Sequence, residues 1–265
     1  MLQFGLIVWT LVVSAMPVCA ASVDGTVFAL YNVPPGKYEF VRSLTLNSVI
    51  VWPDTEKLNE AGRLGLRAIV NIAPGNFPDT KAWMNRIREL KSHPAVFAWV
   101  MYDEPDINKK PVSEVAWAYR TMKSIDPDHP VYQTLWNPMR YADYAPYCDI
   151  LAVCPYIVNK KDPLTDDDLS MIHQMVTMAK KSMAGKQVYA VIQSFAGLPA
   201  WPRPPTPREL LSMVSVAQAA GADGFAFYAY TSSEPYPTQS SKTRFLLMND
   251  TPLMNAIRTA VARTR

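Results

Sequence analysis

Two adjacent carboxylic acids, Asp103 and Glu104, close the segment His93-Pro94-Ala95-Val96-Phe97-Ala98-Trp99-Val100-Met101-Tyr102-Asp103-Glu104-Pro105. Along an extended chain successive side chains point to opposite faces. Ala98, Val100, Tyr102 and Glu104 should therefore share one face, and Asp103 should point the other way unless a bulge turns it. A carboxyl in mostly apolar surroundings keeps its proton to higher pH, as a general acid at neutral pH requires. Other apolar or β-branched runs also end in polar and aromatic residues: Tyr31 and Asn32, Trp52 and Asp54, Asn71, Trp136 and Asn137, Tyr156, Gln193, Tyr228 and Tyr230. Aromatic faces stack on the C–H faces of sugar rings, while amides and acids bond hydroxyls. Such a collar suits a neutral polyol better than an anion. A phosphate ligand would call for a glycine-rich loop or clustered arginines, and neither is present.

Other chemistries find little support. His93, His129 and His173 are scattered, none at the end of a run, and no Ser-His-Asp arrangement or metal-ligand spacing occurs. Cys148 and Cys154 fall on one run. Six extended residues separate them by roughly 20 Å, too far for a disulfide, so both read as small buried hydrophobes. No metal or cofactor is expected.

The elements that must position these residues repeat one phrase. Runs at 26–33, 48–54, 66–74, 96–105, 131–138, 149–158, 187–195 and 224–231 alternate with helical stretches. Eight strands alternating with helices predict a single closed (β/α)8 barrel of the α/β class, whose active sites lie at the C-terminal ends of the strands. The chain has 265 residues, and such a barrel needs roughly 250. In the sixth run Ala152, Cys154 and Tyr156 should face the barrel axis, with Leu151 and Val153 facing helices. Thr206-Pro207-Arg208-Glu209 reads as a capping box, Thr165 with Asp166 to Asp168 as another helix start, and Ser113 and Thr251-Pro252 as two more. The methionines between 171 and 183 read as helix core. The formal charge is +3 with no Lys/Arg run, which argues against a nucleic-acid partner. Residues 4–16 are nearly all apolar, and Val18-Cys19-Ala20 supplies small residues before a cleavage point. Residues 1–20 are therefore expected to be a secretory signal, with an uncleaved anchor as the alternative, and 21–265 the mature, secreted or periplasmic domain, free of the membrane.

The segment ending in Asp103-Glu104-Pro105 resembles the fourth strand of the clan A glycoside hydrolases. Asp126-Pro127-Asp128-His129-Pro130-Val131 resembles the entry to their fifth strand, and 206–230, with Gly221-Ala222-Asp223-Gly224, their seventh helix and eighth strand. The resemblance implies glycosidic-bond cleavage on a carbohydrate substrate with Glu104 as acid/base. Asp103 and Tyr156 would position the reacting sugar, Asn71, Asn137 and Gln193 would bond it, and Trp52, Trp136, Tyr228 and Tyr230 would wall it. One departure matters. Where the clan carries its nucleophilic Glu this chain has Gln193, and an amide cannot form a glycosyl ester. Three explanations stay open. In the first the substrate's own 2-acetamido group is the nucleophile, with Asp103, Glu104 and Tyr156 resembling the set that supports it; in the second Asp54, Asp106 or Glu234 replaces the missing carboxylate; in the third the barrel only binds carbohydrate.

Overall fold

The computed structural model describes residues 25–159, 162–231 and 245–265. The expected signal segment and Glu234 lie outside the described residues. The strands are β1 Val27–Leu30, β2 Ser48–Val51, β3 Arg67–Asn71, β4 Val96–Val100, β5 Val131–Leu135, β6 Ile150–Val153, β7 Gln187–Gln193 and β8 Gly224–Tyr228. Each pairs in parallel with the next, and β8 closes onto β1. The helices that return the chain are α1 Tyr38–Ser43, α2 Thr55–Arg63, α3 Thr80–Leu90, α4 Val112–Ile125, α5 Tyr141–Tyr144, α6 Asp166–Met183, α7 Pro207–Ala219 and α8 Thr251–Thr264. This is the (β/α)8 barrel that the alternation of runs predicts.

Alternation along the strands divides the core in two. Ala29, Ile50, Ile69, Val100, Ala152 and Val191 pack inside the barrel. Their neighbours, among them Leu30, Val49, Val70, Leu151 and Ile192, pack between strands and helices. The sixth strand follows the expected parity, with Ala152 and Cys154 inside and Leu151 and Val153 outside. In β4 the register against β3 slips, Ala68 facing Val96 and Ile69 facing Ala98. The extra residue turns Phe97 inward beside Ala98, where the Arg67 guanidinium lies 5.0 Å from the centre of its ring. The largest of the remaining interior side chains are Tyr132 and Tyr189. Tyr132 meets Tyr189 edge to face at 5.9 Å, and its hydroxyl bonds that of Tyr31 at 3.1 Å.

The helix starts at Thr165 and Thr206 carry full capping boxes, with Asp168 and Glu209 as the reciprocal partners. Ser113 is not a cap. Pro111 is the N-cap of α4, with a helix-compatible φ of −60° and an extended ψ of 139°, and Ser113 lies in the first turn. Of the α6 methionines, Met175 and Met183 are buried, but Met171 and Met178 are on the exposed side. Those two lie seven residues apart on a face other than the one that buries Ile172, Met175, Val176, Ala179 and Met183.

At the opposite end from the strand C-termini, Asp126 is buried between α4 and β5. Its Oδ2 accepts from Trp99 Nε1 at 2.8 Å and meets His129 Nδ1 at 2.8 Å, while Oδ1 accepts from the His129 N–H at 3.2 Å. Burial alone would raise this carboxyl, but these bonds to His129 and Trp99 outweigh it and lower it from 3.8 to about 2. A depressed acid stabilises the fold above its unfolded value and loses that contribution as pH falls through the folded value. Acid unfolding between about pH 4 and 2 should therefore be shallower in Asp126→Asn. At pH 7 that variant should be less stable by about 2 kcal/mol, as read by denaturant titration at both pH values.

Candidate functional site

The β4 strand ends at Val100, and the alternation ends with it. Met101 and Tyr102 both pack outward. The Tyr102 hydroxyl donates to Glu114 at 3.1 Å, and Lys110 Nζ lies 5.6 Å from the centre of its ring. Tyr102 therefore does not share the inner face with Glu104, as strict parity would require. Gln133 Nε2 donates to the Tyr102 carbonyl at 2.8 Å and fixes the departing chain.

The broken alternation brings both acids to the mouth. Glu104 adopts a left-handed backbone, φ 38°. Thr134 of β5 ties the pair together: the Glu104 N–H donates to its Oγ1 at 2.9 Å, and that hydroxyl donates to Asp103 Oδ1 at 3.2 Å. Asp103 does not point outward; it lines an open cleft at the mouth. Glu104 is half-buried, and its Oε1 is buried without a hydrogen-bond partner. Burial raises its carboxyl from 4.5 to about 7, the negative charges of Asp103 and Asp106 add to the rise, and the adjacent Cys154 thiol offsets part of it. Asp103 is also raised, chiefly by lost hydration, with the Thr134 bond pulling against it. Cys154, free and buried, is pushed well up by its own burial and by Glu104.

The cleft holds about 440 Å³ and leans over the β1–β4 half of the mouth. Tyr31, Asn32, Trp52, Asn71, Asp103 and Tyr228 all line it. Trp52 is 48% exposed, a free aromatic face. Tyr228 meets Tyr31 at 5.3 Å and Tyr156 at 5.7 Å, and Tyr156 packs edge to face on Phe195 and Trp201. Tyr156 thus stands beside Tyr228 at the barrel axis, within the electrostatic reach of Glu104 and Asp103.

Other expected site residues are committed elsewhere. Gln193 is fully buried, and its amide pairs with one peptide unit: Oε1 accepts from the Val158 N–H at 2.9 Å and Nε2 donates to the Val158 carbonyl at 3.3 Å. It locks the loop after β6 and offers nothing to a ligand. Tyr230 is buried, with its ring edge-on to Phe40 at 5.3 Å and its hydroxyl donating to Met248 Sδ at 2.8 Å. Asn137 Oδ1 accepts from the Met139 N–H at 3.0 Å, capping a short turn. Trp136, 48% exposed, stands apart from the cleft lining. Asp54 caps α2 through the Glu56 and Lys57 amides. Asp106 Oδ2 accepts the Trp136 and Asn137 amides. Asp54 is therefore a helix cap, and Asp106 holds its turn with Oδ2 while its buried Oδ1 has no hydrogen-bond partner among the described residues. The carboxylates whose charge bears on Glu104 are its chain neighbours Asp103 and Asp106.

Reading the ends of runs missed Lys57, Asn76, Asn108 and Lys110, which also line the cleft. They belong to helices and loops past the strands. It also missed Thr134 and Cys154 as partners of the acids, although the inward parity of Cys154 was a usable signal.

The Gln193 pairing makes a prediction. A carboxylate has no donor for the Val158 carbonyl and would place negative charge against it. Gln193→Glu should therefore cost about 1–3 kcal/mol, with loss increasing as pH rises, measured by thermal melts at pH 5 and 8. Unchanged stability at both pH values would refute the two-point pairing.

No protein-family model matches the sequence, and no curated protein matches it. The fold has many counterparts among solved structures. The chain is similar to an endo-β-1,4-mannanase from Thermotoga petrophila, at 12% identity and a TM-score of 0.66, over 92% of this chain and 77% of that one. It is similar to a GH2 β-galacturonidase from Eisenbergiella tayi, at 12% identity and a TM-score of 0.65, over 90% of this chain and 51% of the other. It is also similar to a β-1,3-glucanosyltransferase from Rhizomucor miehei, at 14% identity and a TM-score of 0.58, over 80% and 89%. At such identities the likeness is one of fold: a (β/α)8 barrel of the kind found in glycoside hydrolases.

Proposed function

We propose that the chain is an exported glycoside hydrolase and that Glu104 is its general acid. The observation that carries the reading is the Glu104 carboxyl itself: half-buried at the barrel mouth, raised to about 7, and next to a cleft lined by aromatic and amide side chains. A barrel that only binds sugar needs no such proton donor. The barrel neighbours that act on glycosidic bonds support the same class, and the apolar stretch at 4–16 supports export.

The surroundings of Glu104 favour one of the three routes. Gln193 is occupied by the Val158 peptide, Asp54 and Asp106 hold turns, and Asp103 is the carboxylate in the cleft. In the proposed reaction Glu104 gives its proton to the glycosidic oxygen as the bond from that oxygen to the anomeric carbon breaks. The carbonyl oxygen of the sugar's 2-acetamido group forms a bond to the anomeric carbon, and Asp103 accepts its N–H. Tyr156 and Tyr228 flank the ring. Water then attacks the anomeric carbon, the bond from that carbon to the acetamido oxygen breaks to restore the acetamide, and a proton of the water passes to Glu104.

The test is sugar release from aryl glycosides and polysaccharides, with and without 2-acetamido groups, by wild type and Glu104→Gln. Release confined to 2-acetamido substrates and lost in the variant supports the reading. Equal release by both proteins would exclude Glu104 as the acid. Binding without release by either would make the barrel a carbohydrate-binding one.

A further inference from the structure

Glu104 has two unlike flanks. On one lies the cleft over the β1–β4 half of the mouth, with Trp52 and Asp103 in its lining. On the other lie the ends of β5 and β6, where the Cys154 thiol and the Tyr141 ring of α5 stand within electrostatic reach of the Glu104 carboxyl. The end of β5 carries Trp136. Its backbone is tied to the turn that holds the acid, because Asp106 Oδ2 accepts the Trp136 N–H at 3.0 Å. Alternation along β5 places its side chain. Tyr132 packs inside the barrel, and Thr134 reaches both Asp103 and the Glu104 N–H at the mouth. The ladder continues to the peptide between Leu135 and Trp136, whose carbonyl accepts from the Cys154 N–H at 3.2 Å. Trp136 therefore follows Thr134 on the inward side. Its indole is half-exposed and has no aromatic or cationic partner among the described residues. Ile107, one turn beyond Glu104, and Met139, on the turn after Trp136, are exposed as well.

An exposed apolar group of this kind at the rim of a site marks a surface that a ligand covers. Trp52 ends β2 and Trp136 ends β5, three strand spacings apart, or about 14 Å along the sheet. No single pyranose ring touches both. A glycosidic oxygen protonated by Glu104 joins a ring in the cleft to a leaving group, and that group has to lie across the acid, on the β5 side. We propose that Trp136 is the platform of a second sugar subsite, stacking the apolar face of the pyranose on the leaving-group side, with Ile107 and Met139 at its edge. The substrate is then a chain of at least two sugars, not one sugar on a small aglycone. The proposal rests on the cleft holding the sugar whose bond Glu104 acts on.

Binding separates this proposal from catalysis. The Glu104→Gln protein is titrated by saturation-transfer NMR with the methyl glycosides of 2-acetamido-2-deoxyglucose and 2-acetamido-2-deoxygalactose, in both anomers. It is titrated in parallel with disaccharides that join the same sugars to a second 2-acetamido pyranose. At least one disaccharide should bind about tenfold more tightly than its methyl glycoside. Adding Trp136→Ala should reduce that gain to within about threefold, and Trp136→Tyr should largely retain it. The affinity for the methyl glycoside should stay unchanged in both, which also shows that the cleft is still folded. A gain that survives Trp136→Ala, or an equal loss for both kinds of probe, would overturn the subsite. Methyl glycosides that bind with no gain for any disaccharide would overturn the subsite alone. No binding of any probe would overturn it together with the sugar site. A gain with the stated Trp136 dependence, but no sugar release by wild type, would uphold the subsite while overturning the glycosidase reading.

Discussion

Glu104→Gln should lower kcat/KM on a responsive glycoside by about 10²–10⁴, the range supplied by a positioned general acid, and leave the protein folded. The amide keeps the shape of the side chain but has no proton to give at neutral pH. In wild type, kcat/KM should fall as pH rises through about 7, because the reaction uses the protonated form. That limb should vanish in the variant. Stability should change in the opposite sense. An acid raised from 4.5 to about 7 in the fold binds its proton more tightly when folded, so its contribution is fully present below the unfolded value and is lost as pH climbs through the folded one. The cost above pH 7 is about 3 kcal/mol. Glu104→Gln should therefore be the more stable protein at pH 8 and nearly equal to wild type at pH 4. A variant that is less stable than wild type at pH 8 would show that the carboxylate is well accommodated, and would count against its use as an acid.

The second large effect concerns the barrel that holds the site. Gly224 opens β8 directly opposite Tyr189 in the β7–β8 ladder. A β-carbon at Gly224 would lie 2.7–2.8 Å from three atoms of the Tyr189 ring, a distance that carbon atoms do not tolerate. The ring is 1% exposed and packed on Tyr132, so it has nowhere to retreat. Gly224→Ala should cost about 1–3 kcal/mol or more, lowering Tm by roughly 2–4 °C for each kcal/mol. The matching change Tyr189→Leu removes the clashing ring. Combined with Gly224→Ala it should cost less than the sum of the two single changes. Additive losses in that cycle would mean that the two positions do not meet.

The sequence determined the barrel through purely local rules. β-Branched runs alternating with helices, caps at Thr165 and Thr206, and a two-residue period in the sixth run are properties of neighbours along the chain. They survive without knowledge of what is packed against them. The same locality exposed Asp103-Glu104, Tyr31, Trp52, Asn71, Tyr156 and Tyr228, because residues at strand C-termini must gather at one mouth once the barrel closes. Tertiary structure decided which of these side chains remain available. Alternation holds only while the strand holds, so the end of β4 at Val100 packed Tyr102 with the outer core layer and brought Asp103 to the cleft that both residues line. Gln193 reads as a sugar-binding amide until Val158, 35 residues away, occupies both of its polar atoms. Tyr230 reads as a wall until Phe40 and Met248 cover it. Lys57 enters the cleft from a helix, where no strand-end pattern points to it. Hydrogen-bond partners and burial depend on segments far apart in sequence, and only chain closure brings them together.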